Sequence, residues 1–364
     1  LLAFYISGHG YGHASRQIEI INAVARRIPT ARIFIRSSAS RLLFERTVVA
    51  PFELDEHPCD TGIVQIDSLH LDADETIRRA SAFYRTFDAR AREEAALLTS
   101  RGIRFVVSDA PPLGCAAAAS AGIPSVVVSN FTWDWIYAGY AEQLRSAPDL
   151  VPVIQRAYRQ SDAAWRLPMH GPFDAFANII DLPFVARHAR HARADTRTEL
   201  GLPLDRRLAL SSFGGYGADG IDFARLDSTT EWDVVLTGNG APPPESAGVR
   251  FVSEPALYAA GLRYEDLVAA CDVVVTKPGY GIISECIANR TAIAYTSRGH
   301  FVEYDVLVRE MPRYLRCAYL EKESLFAGRW RAALDAAVNA AEPPEHPATS
   351  GGEVVAEMIR DRVG

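Results

Sequence analysis

The run CDVVVTKPGYGIISE (residues 271–285) decides the fold. Its first half, DVVVT, is an unbroken β-branched run of the kind found in a sheet covered on both faces. A glycine turn follows at once, and an apolar helical pattern opens near Gly281. A strand that passes through a glycine turn into a helix is one step of a β-α-β winding, and open parallel sheets bind their ligands at the carboxyl ends of such strands. The amides of Gly279, Tyr280, Gly281 and Ile282 then point at an anion, with the helix dipole favouring its charge. Lys277 adds a point charge, although the Walker spacing is missing. Glu285 lies one turn into the helix. It either complements the dipole, worth ~0.3–1 kcal/mol, or accepts from a ribose diol.

The same alternation continues on both sides. Downstream of the joint, residues 207–213 read as a strand running into Gly214 and Gly215, with strands at 232–237, 249–253 and 292–296. Upstream, strands are expected at 2–7, 32–36, 105–108 and 125–129. A helix over 14–27 carries Ile18, Ile21, Val24 and Ile28 on one face, and an alanine-rich helix over 115–121 suits close packing. The chain therefore reads as two doubly wound α/β units facing across a cleft. Their spans are 1–185 on the acceptor side and 204–335 on the nucleotide side, with a linker at 186–203. A tail helix within 336–364 is expected to pack back toward the first unit. The basic stretch ARHARHARADTR (186–197) reads as a solvated linker or helix face rather than a phosphate contact.

A second glycine loop, SGHGYGHASR (7–16), leaves the first strand and enters the first helix. It lacks the G-x-G-x-x-G fingerprint, and no acidic residue follows at the ribose position, so a dinucleotide is a poor fit. It carries two histidines, His9 and His13, at a sheet's carboxyl edge, where chemistry is expected rather than turn-making. The third motif, SSFGG (211–215), would close over a diphosphate opposite the first.

Composition bounds the rest. Among 364 residues, 48% are hydrophobic and 23% charged, which excludes long disorder and a coiled coil. The net charge of −7 argues against a general nucleic-acid surface. Lys277 and Lys322 are the only lysines. Five scattered cysteines, with no C-x-x-C pair, point away from a disulfide framework or zinc site and toward a reducing cytoplasm. No apolar run reaches the ~20 residues of a membrane span, and the opening LLAFYIS has no charged n-region, so no signal peptide is expected. The D-x-D form at Asp72 and Asp74 reads as a solvated loop rather than a metal site.

The three glycine motifs, in this order, resemble the GT-B glycosyltransferases. Within them the chain is similar to the peptidoglycan N-acetylglucosaminyltransferase-like group, and closer still to the glycosyltransferase-like half of plant L-arabinokinases. The likeness runs through GHGYGHASR (8–16), CDTGIVQID (59–67), VSDAPP (107–112), NFTWDWIYA (130–138) and KPGYGIISE (277–285). The sugar-kinase half of those proteins is not expected here.

The resemblance implies a GT-B fold and an inverting, metal-independent transfer of sugar from a UDP-sugar to a hydroxyl acceptor, with no cofactor beyond that co-substrate. His13 matches the base and Asp109 the aspartate that orients it, with His9 as the alternative base. The donor would be held by Ser212, Gly214, Gly215, Lys277 and the residues 279–282, with Glu285 on the ribose and Glu303 on the sugar hydroxyls. Many relatives follow that acid with Gln; here it is Tyr304. Gly10, Gly12, Gln65, Asp67 and Trp133 fall on the acceptor side. Two other readings stay open: a nucleotide-sugar 2-epimerase, which needs carboxylate acid–base groups around the sugar ring, and a non-catalytic nucleotide-sugar-binding module.

Overall fold

A computed structural model describes residues 1–67, 69–213, 220–221, 226, 231–238 and 248–363. In chain order the first unit holds β1 (Leu2–Ile6), α1 (Tyr11–Arg27), β2 (Ile33–Ser37), α2 (Arg41–Thr47), β3 (Phe52–Glu56), α3 (Ala73–Tyr84) and α4 (Phe87–Ser100). It continues with β4 (Phe105–Asp109), α5 (Pro112–Ala121), β5 (Ser125–Ser129), α6 (Trp133–Ala138), α7 (Leu150–Tyr158), β6 (Ala163–Arg166) and β7 (Ile179–Asp181). These strands form one sheet in the order β3-β2-β1-β4-β5-β6-β7, parallel throughout.

The central strands are buried on both faces, as their apolar runs require. Along β1, Phe4 and Ile6 feed one core while Ala3 and Tyr5 feed the opposite one. Gly114 of α5 sets how closely that helix packs on β1: a side chain there would start 2.9 Å from the Tyr5 ring.

The joint carries α8 (Arg193–Glu199). The second unit follows with β8 (Arg207–Ser212), β9 (Trp232–Gly238), β10 (Val249–Ser253), α9 (Glu254–Ala259), α10 (Tyr264–Ala270), β11 (Val273–Thr276) and α11 (Tyr280–Asn289). Then come β12 (Ala292–Tyr295), α12 (Val302–Glu310), β13 (Cys317–Tyr319), α13 (Lys322–Phe326), α14 (Arg331–Asn339) and α15 (Gly351–Val363). Its sheet runs β10-β9-β8-β11-β12-β13, again parallel in every pair. The final helix α15 lies against α1 of the first unit. Glu353 is paired with Arg26 and Arg27, and Val355, Ala356 and Ile359 enter the core that α1 shares with both sheets. No described helix is long and apolar enough to cross a membrane.

The joint departs from its expected solvation. Residues 190–195 are exposed, yet Arg187 and Arg197 are pinned inside. Arg197 donates to the carbonyls of Ala270 and Arg206 and to Asp272, so the run anchors the second unit instead of floating beside it.

Candidate functional site

Carboxyl ends of β1, β4 and β5 gather the first half of the site. Gly10, at φ 73, lets the chain turn off β1 and cap α1. His13 therefore sits in the first turn of α1, where its Nδ1 meets Asp109 Oδ1 at 2.9 Å, at the last residue of β4. Arg16, one turn further along α1, donates from Nε to Asp109 Oδ2 at 2.7 Å and from Nη2 to the other oxygen. It also reaches Ser129, the last residue of β5, and Asn130, just beyond it. Burial alone would raise the Asp109 carboxyl, but the Arg16 charge and then His13 win, holding it at about 2. Two groups meet His13 Nδ1: the ionised Asp109, which only accepts and calls for a proton on that nitrogen, and Arg16 Nη2, which only donates, at 3.0 Å. With the proton on Nδ1, Nε2 is the acceptor.

His9 lies beside this pair in a different state. Its Nδ1 accepts from the Ile63 amide at 3.3 Å, and its ring stacks on Phe301 of the second unit. The loop can pass this close only because residue 62 is glycine, at φ 59. A side chain there would start 2.8 Å from His9. Burial, with Arg298 next, pushes His9 well below the usual imidazole range.

The second half of the site comes from the carboxyl ends of β8 and β11. Gly279 caps α11, and the first turns of α1 and α11 meet: a side chain at Gly281 would start 3.2 Å from the Gly12 backbone. Two positive helix ends thus face one space. Half-buried Lys277 adjoins it, lowered to about 7 by burial and then by the neighbouring Arg298 cation. Such an arrangement favours an anion. Ser212 shares a 2.5 Å hydrogen bond with the Tyr264 hydroxyl, and Tyr280 is buried with the Arg16 guanidinium over its ring. Ile282 is half-buried on the first turn of α11. Gly214 and Gly215 lie outside the described residues.

Glu285 is buried on α11, and its Oε1 accepts from Arg187 Nε at 2.7 Å. Burial raises its carboxyl, and Arg187 opposes that rise. Any ribose contact would share Glu285 with the arginine from the joint. Glu303, on the first turn of α12, accepts from Asn130 Nδ2 at 2.6 Å and faces Arg298 at 3.9 Å. The acid expected on the donor side is thereby tied to the first unit.

Acceptor-side expectations are placed apart. Gly10 and Gly12 are exposed in the cleft. Gln65 pairs with Leu71 in an isolated bridge, and exposed Asp67 closes its own turn by accepting from Leu69 N, His70 N and His70 Nδ1. Trp133, expected on the acceptor side, is fully buried. Its Nε1 donates to Asp60 Oδ2 at 2.8 Å beneath the two histidines. Asp72 accepts from Glu75 N as the cap of α3, which gives that carboxylate a structural task.

Residues missed in the sequence complete the site: Arg16, Asp60, Asn130, Arg187 and Arg298. Asp60 also accepts from Ser7 Oγ, and burial lifts it to about 6 despite that bond and the nearby His13. Arg16, Asp60 and Asn130 lie inside quoted motifs. What singles them out is only that three strands end at the same place.

Solved structures share this architecture. The glycotransferase of kitacinnamycin superposes with a TM-score of 0.65 at 17% identity, over 100% of this chain and 99% of that one. The fold is GT-B. UDP-glucose: anthocyanidin 3-O-glucosyltransferase, solved in complex with UDP, matches with a TM-score of 0.58 at 11% identity, over 100% of this chain and 94% of that one. VinC, solved in complex with dTDP, matches at 0.56 and 15% identity, over 99% of this chain and 94% of that one. In sequence, the GT-B chain is 30% identical to L-arabinokinase of Arabidopsis thaliana over 99% of its own length. It spans about a third of that protein, 34%. No protein-family model matches.

Proposed function

We propose that this GT-B protein transfers a sugar from a UDP-sugar to a hydroxyl acceptor, with inversion at the anomeric carbon and without a metal ion. One observation carries the reading: His13, oriented by Asp109, stands one residue from the point where the helix ends of α1 and α11 meet. A base and an anion cradle therefore share one space.

The acceptor O–H gives its proton to His13 Nε2 as its oxygen attacks the anomeric carbon. The new C–O bond forms as the bond to the diphosphate breaks, and UDP leaves with the electron pair. Asp109 stays ionised and steadies the imidazolium without taking its proton. Lys277, the amides of α11 and the paired helix ends supply positive charge for the leaving group, the task a divalent ion performs elsewhere. His13 is favoured over His9 because a buried carboxylate, Asp109, meets its Nδ1 and can steady a positive ring, whereas His9 Nδ1 meets the Ile63 amide.

The reading is tested by offering the protein UDP-glucose, UDP-galactose and UDP-N-acetylglucosamine in EDTA, with water or simple sugars as acceptor. The expected result is UDP release with a product of inverted anomeric configuration. Isomerised UDP-sugar without free UDP would identify an epimerase, and tight binding with neither product a binding module.

A further inference from the structure

An unbroken line of hydrogen bonds joins the donor side of the cleft to the base. Glu303 Oε1 accepts from Asn130 Nδ2 at 2.6 Å. The other end of that amide, Oδ1, accepts from Arg16 Nη1 at 2.7 Å. Arg16 Nε donates to Asp109 Oδ2 at 2.7 Å, and Asp109 Oδ1 holds His13 Nδ1 at 2.9 Å. All five side chains are buried, so a break in the line is not simply repaired by bulk water. The middle position has one chemical demand: to donate to a carboxylate on one side and accept from a guanidinium on the other. An amide meets it, whereas an ionised Asp only accepts and a Lys only donates. The side chain of Asn130 serves no helix cap, since α6 is capped at Thr132.

We propose that Asn130 is a positioning residue for transfer, coupling engagement of Glu303 by the donor sugar to the setting of the His13–Asp109 pair. This rests on the transfer reading above. A sugar hydroxyl that bonds to Glu303 has to share that carboxylate with Asn130 Nδ2. Any turn of the amide is then passed through Arg16 to Asp109. UDP, which lacks the sugar, leaves the line undisturbed, so the base responds to a UDP-sugar differently from UDP.

The test uses full-length protein with ¹⁵N-labelled histidine, His13 being assigned with a His13→Gln variant. UDP is compared with whichever UDP-sugar of the three above gives the largest thermal shift. In the wild type, the UDP-sugar should move the His13 ring resonances beyond the change that UDP causes. In Asn130→Ala that extra change should vanish while UDP affinity stays within about threefold, and kcat should fall about ten- to a hundredfold with little change in KM. Asn130→Asp keeps the oxygen facing Arg16 but loses the donor to Glu303. It should show the same loss, and it replaces the alanine variant if that does not fold. An Asn130→Ala protein with kcat within twofold of wild type, or with the extra His13 change intact, overturns the coupling and leaves the transfer reading standing. Absence of the extra change in wild type overturns it as well. A wild type that transfers nothing, yet shows an extra change that Asn130→Ala abolishes, upholds the coupling and sinks the transfer reading.

Discussion

Near neutral pH Lys277 is divided between ammonium and amine, because burial and then Arg298 bring it down to about 7. A bound diphosphate favours the ammonium and raises that value. Binding a UDP-sugar, whose own diphosphate does not titrate here, should therefore take up a proton above pH 7. The sign follows directly: affinity falls as pH rises through 7, with a limiting slope of about tenfold per pH unit. Calorimetry in two buffers of different ionisation enthalpy reads the proton uptake, and Lys277→Met should abolish it. No uptake in wild type between pH 7 and 8.5 would remove Lys277 from the donor site. Lys277 was legible in the sequence as one of two lysines in a glycine turn, but Arg298, the cation that depresses it, was not. The two are 21 residues apart, with a helix and a strand between, and only the winding of the second sheet returns one to the other. Asp109 was reached only through the resemblance to GT-B glycosyltransferases, whereas His13 was legible as one of two histidines in the glycine loop that leaves the first strand. Arg16 was printed in the same motif, yet its role depends on β4 and β5 ending opposite α1.

Among the elements, legibility followed burial. The central strands β1, β4, β5, β8 and β11 are apolar runs that could be read at sight. By contrast β3 is an edge strand with the sequence FELDE, and β6, β7 and β13 have only three or four residues, too few for a period to show. The joint misled for a related reason: a run of arginines looks solvated unless its carboxylate partners, distant in sequence, are known. Arg187 lies between Glu285 and Glu265, at 3.3 Å from the latter. Arg187→Ala would strand buried carboxylates, an arrangement that costs about 3–5 kcal/mol. Glu285 is already raised by burial and would rise further without its cation. A raised carboxyl stabilises the fold at low pH and loses that contribution as pH climbs. The destabilisation in urea unfolding should accordingly be larger at pH 8 than at pH 5. A loss under about 1 kcal/mol at both would return the joint to a solvated linker.

Across the whole molecule, the two sheets are held by more than the joint. The core beneath α1 takes side chains from both units and from α15, while Phe301 enters the aromatic core of the first unit and Leu69 that of the second. Two doubly wound units and a tail helix that packs back toward the first are expected from the sequence; that α1 is the element receiving α15 was not legible, because the tail's apolar residues do not name their partner. Asn130 and Glu303 hydrogen-bond from one unit to the other, and Gly12 and Gly281 approach closely, so the proposed base and the proposed anion cradle are brought together. That pairing is what transfer chemistry requires, and it is tested most directly by UDP release from a UDP-sugar, compared between wild type and His13→Ala alongside the UDP affinity of each. The expected result is release by wild type, a drop of about a hundredfold or more in His13→Ala, and UDP affinities within about threefold, because the His13 side chain makes none of the proposed nucleotide contacts. Full release by His13→Ala would contradict the assignment of the base, and the absence of release by wild type from every donor would contradict transfer itself.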